Sequence, residues 1–190
     1  MSTKIRTLLT TILPLFIIIL SIIGMIDAGY VTYEEFSGVI PVCGGGFDCG
    51  TVLDSKWAKI GPVPVSLFGI FFYITIFSLG ILQYLAVPFP KSIRSFIKKF
   101  TKENLHFISK NAFLGKKFNW FFAELSWQKI AYMLSKFGFL FTIYLVSIMA
   151  FVLQAWCLYC LISAITTTFI FISLSTLTYL EFSSQSTKNQ

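Results

Sequence analysis

Trp156-Cys157-Leu158-Tyr159-Cys160 places two thiols three residues apart at the start of an apolar run. On a helix, residues at that spacing share a face and lie within reach of each other. The N-terminal end of a helix favours negative charge and so stabilises a thiolate. Such a pair can cycle between dithiol and disulfide. A second pair, Cys43 and Cys49, is separated by five residues that include Gly44-Gly45-Gly46. Glycines there let the two sulfurs face different partners in turn. Exchange between two such pairs requires a thiolate, an accessible sulfur and in-line approach.

Four cysteines allow three complete pairings. A structural staple across an outer surface is one reading of them, but it has no need of a three-glycine hinge or of a Cys-x-x-Cys pair. A Cys₄ zinc site is another. Zinc knuckles usually have about two to four intervening residues. The five-residue gap and the membrane-edge position of the second pair argue against it, and no metal is expected.

The elements that must hold these cysteines are membrane spans. The chain is 56% apolar and 12% charged, with 22 Phe, and its mean hydropathy is +0.78. Soluble domains carry about 25% charged residues. Four apolar runs are long enough to cross a bilayer, at 8–26, 63–87, 130–154 and 157–179. The first follows Lys4 and Arg6, contains Pro14, exceeds a signal-peptide core and has no Ala-x-Ala site after it, so it reads as an uncleaved span. Pro62 and Pro64 mark the entry to the second, and Pro88 and Pro90 end it. The expected architecture is an all-α integral membrane protein, a single four-helix domain over 1–180. It has an outer cysteine loop at 27–62, a basic loop at 88–129 and a disordered tail at 181–190.

The net charge of +7 is distributed as a topology signal rather than as a nucleic-acid footprint. Lys91, Arg94, Lys98, Lys99, Lys102, Lys110, Lys116, Lys117 and Lys129 crowd the loop between spans two and three. The loop between spans one and two has Asp27, Glu34, Glu35, Asp48 and Asp54 against Lys56 and Lys59. The positive-inside rule then puts both termini and the basic loop in the cytoplasm. All four cysteines fall on the outer side, where disulfides persist. Within the basic loop, Ile93, Phe96, Ile97 and Phe100 recur at helical spacing. They fit either a helix lying on the headgroups or a solvated loop ending in the Trp120 and Trp127 anchors. His106, the one histidine, lies in this loop, so no histidine assists the outer thiols.

Taken together, Cys43-x5-Cys49, Cys49-Gly-Thr-Val52-Leu53-Asp-Ser55, Gly61-x-x-Pro64 with Gly69 and Tyr73, and Cys157-x-x-Cys160-x-x-Ser163 resemble the vitamin K epoxide reductase family, its prokaryotic members in particular. The resemblance covers all four spans and the first outer loop. It implies a four-helix bundle around a quinone of ubiquinone, menaquinone or vitamin K type. It also implies a quinone-dependent thiol–disulfide oxidoreductase that makes disulfides for exported proteins. Some prokaryotic relatives carry a fused thioredoxin-like domain; here the expected partner is a separate thioredoxin-like protein on the outer side.

Carried over by resemblance, Cys43 exchanges with that partner, Cys49 attacks a disulfide at Cys157, and Cys160 delivers electrons to the quinone. Ser55 matches a serine beside the family's active site, where it holds a capping loop. As a residue it can equally cap a short helix beginning at Ser-Lys-Trp-Ala. The vertebrate enzymes hydrogen-bond vitamin K with an Asn and a Tyr, and the matching positions here are Val65 and Ala164. Without those donors, epoxide reduction loses support while quinone reduction keeps it. Val65, Ala164, Ser55 and Phe68 are therefore the expected quinone contacts. As a group, Phe68, Phe71, Phe72 and Tyr73 are assigned mainly to packing or lipid, with room for one or two of them to line the quinone pocket.

Rival readings are a stapled structural membrane protein, a vitamin K quinone or epoxide reductase proper, and disulfide bond formation protein B. The last has its Cys-x-x-Cys pair in the first outer loop, the reverse of the order here. A transporter is disfavoured because no charge is expected at mid-membrane.

Overall fold

A computed structural model describes residues 3–38, 43–85 and 127–188. Four long helices form the bundle: α1 (Thr3–Ser37), α3 (Val65–Tyr84), α4 (Trp127–Ser147, continued as a π-helical turn, Ile148–Leu153) and α5 (Leu158–Lys188). A five-residue helix, α2 (Cys49–Leu53), and a hairpin of β1 (Lys59–Ile60) and β2 (Val63–Pro64) lie between α1 and α3. The hairpin pairs Lys59 with Pro64 and Ile60 with Val63. Among the described residues, Leu8–Ser37, Val65–Tyr84, Trp127–Leu153 and Leu158–Glu181 are long and apolar enough to span a membrane. The chain is a multi-pass membrane protein.

The helices close into a ring in which α1 packs on α3 and α5, and α4 packs on α3 and α5. Outward faces carry exposed Ile12, Ile19, Phe71, Phe137, Ile143 and Phe169, as expected of a surface bathed in lipid. Inside, Ile17, Tyr73, Ile76, Ile170 and Leu174 are almost wholly buried. Some buried hydroxyls share this interior at little cost by bonding within their own helix: Ser21 donates to the Ile17 carbonyl (2.8 Å) and Thr32 to that of Ala28 (2.7 Å). Small residues bring the helices close. A Cβ at Gly24 would stand 2.4 Å from the Tyr73 ring, and one at Gly138 2.6 Å from Phe72.

Helix ends depart from the sequence expectation in two places. α1 does not stop at Ile26. It continues to Ser37 and ends only at Gly38, whose φ is +69°. Between Ile26 and Gly38 there is no proline, and Ala28, Val31 and Thr32 are buried, so tertiary packing carries the helix past Gly29 and through a polar stretch. Asp27, Glu34 and Glu35 are thus helical and not part of a loop. The tail expected to be disordered is instead helical as far as Lys188, since no Gly or Pro interrupts α5. The two-residue strands were not foreseen at all. The expectations for Ile93 to Phe100, His106 and Trp120 lie outside the described residues.

Candidate active site

Gln154 adopts a left-handed conformation (φ +50°) that ends the α4 helix line and turns the chain into α5. Cys157 immediately precedes α5 and is completely buried. Its sulfur accepts a hydrogen bond from the backbone N–H of Cys160 (3.4 Å), the position that a serine or threonine oxygen fills at many helix starts. Hydrogen bonding from the Cys160 thiol, and then from the backbone N–H groups of Cys160 and Tyr159, holds the Cys157 thiol below its ordinary range against the upward push of burial. Cys157 is therefore the better thiolate and the better leaving group of the pair.

The loop pair is a disulfide, Cys43–Cys49, while Cys157 and Cys160 are free thiols. Cys49 opens α2, which Asp48 caps by accepting from the Thr51 backbone N–H (3.0 Å) and the Thr51 hydroxyl (2.6 Å). The Asp48 backbone N–H donates to the Trp156 carbonyl (2.9 Å). Cys49, at 1% exposure, then lies in one apolar cluster with Cys157, Val31, Val52, Met149 and Ala155. Cys43 is half-buried beside it, and Gly44, Gly45 and Gly46 are exposed.

Behind the helix-end pair is a cavity of about 390 Å³ enclosed by all four long helices. This falls within the range of small-molecule sites. Cys160 lines it and Cys157 does not, so the two sulfurs divide their surroundings. Val65, Phe68, Phe72 and Tyr73 of α3, Gly138, Phe141 and Thr142 of α4, and Ser163 and Ala164 of α5 form the walls. Val52, Leu53, Ser55, Trp57 and Ile60 make a roof. All four residues expected to touch a quinone, namely Ser55, Val65, Phe68 and Ala164, line this one space. Ser55 does not begin a helix. Its hydroxyl donates back to the Val52 carbonyl (2.7 Å), fastening the end of α2, while the Val65 N–H donates to the Ala58 carbonyl (2.8 Å) and ties the roof to α3.

Sequence reasoning missed several cavity residues. Asp27, Val31 and Glu35 follow one another at four-residue steps along α1 and all face the cavity. Reading α1 through to Gly38 would have put them on one face. A carboxylate at the level of the spans thus exists where none was expected. Ser66 donates its hydroxyl to one Glu35 oxygen, and the other oxygen is buried without a partner. Tyr73, at 1% exposure, joins α3 to α5: its hydroxyl bonds the Ser163 hydroxyl (2.7 Å), the Ser163 carbonyl (3.1 Å) and the Thr167 hydroxyl (3.0 Å). Of the aromatics assigned to packing, Phe72 and Tyr73 reach the cavity, while Phe71 is 61% exposed on the outer surface.

None of the curated proteins matches the chain. A family model, that of the vitamin K epoxide reductase family, matches residues 15–175, which takes in the second and third spans, most of the first and fourth, and both cysteine pairs.

Proposed function

The chain belongs to the vitamin K epoxide reductase family, and from that membership we propose that it oxidises a separate thioredoxin-like protein on the outer side of the membrane and reduces a quinone, supporting disulfide formation in exported proteins. Membership makes it a membrane thiol–disulfide oxidoreductase; the partner, the quinone and the direction belong to the proposal.

One observation carries the reading. The tether from Asp48 to Trp156 holds the loop disulfide against buried Cys157, while Cys160 of the same pair opens into an apolar cavity. Electrons enter when the partner's dithiol attacks Cys43, releasing Cys49 as a thiolate. The partner's second thiol displaces Cys43 and leaves the partner oxidised; Cys49 then attacks Cys157 of an oxidised Cys157–Cys160 pair, expelling Cys160, and Cys43 closes back on Cys49, releasing Cys157 and re-forming the loop disulfide. The resulting Cys157–Cys160 dithiol is oxidised by the quinone: two S–H bonds break, one S–S bond forms, and two electrons with two protons convert quinone to quinol. Ser55, Val65, Phe68 and Ala164 contact the ring. Val65 and Ala164 offer no hydrogen bond, which favours a quinone over an epoxide. Both termini are cytoplasmic on the charge count, and the cysteines face outward.

The test is dithiol-dependent quinol production by the protein in lipid nanodiscs. Wild type turns over and Cys160→Ser does not. Equal turnover by Cys160→Ser would mean that the cysteines only staple the surface.

A further inference from the structure

Asp27 is an isolated carboxylate in an apolar wall. It stands one helical turn before Val31 and two before Glu35, and all three line the cavity with Cys160. Among the described residues it has no hydrogen-bond or ion-pair partner. Cys157, Cys160 and Tyr73 all lie within its electrostatic reach. Ionisable groups at this depth are costly to keep and mark sites where charge or protons move.

The reaction needs a proton carrier at this spot. Oxidation of the Cys157–Cys160 dithiol frees two protons beside an apolar cavity that Cys160 lines, and the quinone's oxygens must gain two. The other titratable groups lining the cavity are Glu35, Tyr73, Tyr159 and Cys160 itself; α4 contributes none. Tyr73 is already engaged by Ser163 and Thr167, and Glu35 by Ser66. Tyr159 packs at a tilt against Tyr30, with ring centroids 5.2 Å apart and planes 42° apart. Among these groups Asp27 is the carboxylate with neither oxygen engaged, whereas Glu35 has one oxygen held by Ser66 and one free.

We propose that Asp27 is the proton-transfer residue of this site: it takes the Cys160 proton as the S–S bond forms and hands it to a quinone oxygen. Glu35, two turns nearer the outer end of α1, completes the path along the same face. The second proton leaves Cys157 by the same route, so the balance closes with no other reactant. The inference rests on the quinone-reductase reading above.

Two measurements on the full chain in nanodiscs test it. With a short-tailed quinone, Asp27→Asn lowers kcat about 100-fold, the scale of a lost proton-transfer group, with KM within about twofold. The pH dependence of kcat flattens, and Asp27→Glu restores part of the rate. An Asp27→Asn kcat and pH profile matching wild type overturn the proposal. The second readout needs no quinone. In the infrared difference spectrum between dithiol and disulfide forms of the Cys157–Cys160 pair, a carboxylic C=O band is expected in wild type and absent in Asp27→Asn. A band that persists in the variant, or no band in wild type, overturns it. If wild type fails to reduce quinones, the reading of function falls, and the infrared result still decides the role of Asp27.

Discussion

Asp48 and Trp156, 108 positions apart in the chain, are joined backbone to backbone: the Asp48 N–H donates to the Trp156 carbonyl at 2.9 Å. Each is the residue immediately before a buried cysteine. The bond therefore sets Cys49 against Cys157 and leaves Cys43 and the glycines free to face water. A loop tied beside the buried thiol at Cys49, with Cys43 nearer the surface, suits a relay between a soluble protein and a buried thiol.

This arrangement predicts which sulfurs can join. With Cys43 and Cys160 replaced by Ala, mild oxidation should link Cys49 to Cys157 in most molecules, hiding both from maleimide. With Cys43 and Cys157 replaced instead, Cys49 and Cys160 should remain largely labelled. Mass spectrometry of the non-reduced protein reads both outcomes. Equal linkage in the two variants would deny the pairing.

A pH prediction follows from the hydrogen bonds to Cys157. Its thiol is held low first by the Cys160 thiol, so its thiolate forms at lower pH than that of an ordinary cysteine. In Cys160→Ala that donor is lost, the folded pKa rises, and less thiolate is present at any given pH. The pH profile for reaction of Cys157 with a small alkylating reagent should move to higher pH in Cys160→Ala and less so in Cys160→Ser, which keeps a donor. A shift toward lower pH would contradict the assignment.

Two glycines of α1 should respond oppositely to alanine. Gly24→Ala drives a methyl into the ring of Tyr73, which is 1% exposed, and should cost about 1–3 kcal/mol, the usual range for overpacking. Gly29 has open space around its Cβ direction, and Gly29→Ala should be neutral or stabilising by up to about 1 kcal/mol through helix propensity. Unfolding in mixed detergent micelles compares them. Similar losses at both sites would show that the contact with Tyr73 does not set the helix spacing.

Ser55→Ala removes the hydroxyl that closes the end of α2 and steadies the roof. A lost hydrogen bond of about 0.5–1.5 kcal/mol corresponds to roughly a 2- to 12-fold change in an equilibrium. The expected effect is a KM for quinone raised within that range, with kcat retained. A variant that loses kcat at unchanged KM would give Ser55 a role in the chemistry instead.

Much of this protein could be read without coordinates. Length and hydropathy alone require four spans, because only a helix of about 20 residues satisfies its backbone across a bilayer. The distribution of Lys and Arg gives them an expected orientation, and cysteine spacing with Gly44-Gly45-Gly46 points to the proposed redox pairs. Helix ends were less legible. Asp27, Glu34 and Glu35 look like loop residues to a hydropathy window, yet α1 runs through them because Ala28, Val31 and Thr32 find partners in the bundle. The division of labour between Cys157 and Cys160 was hidden as well. Nothing local says which sulfur meets Cys49 and which meets the cavity; the turn at Gln154, the Asp48 tether and the position of α1 decide it together. Tyr73 shows the same limit, since its partners Ser163 and Thr167 lie about ninety residues away. Composition and spacing reveal which groups are available, because those are properties of the chain. Which of them face each other depends on how the helices close around the cavity, and that depends on contacts between distant residues.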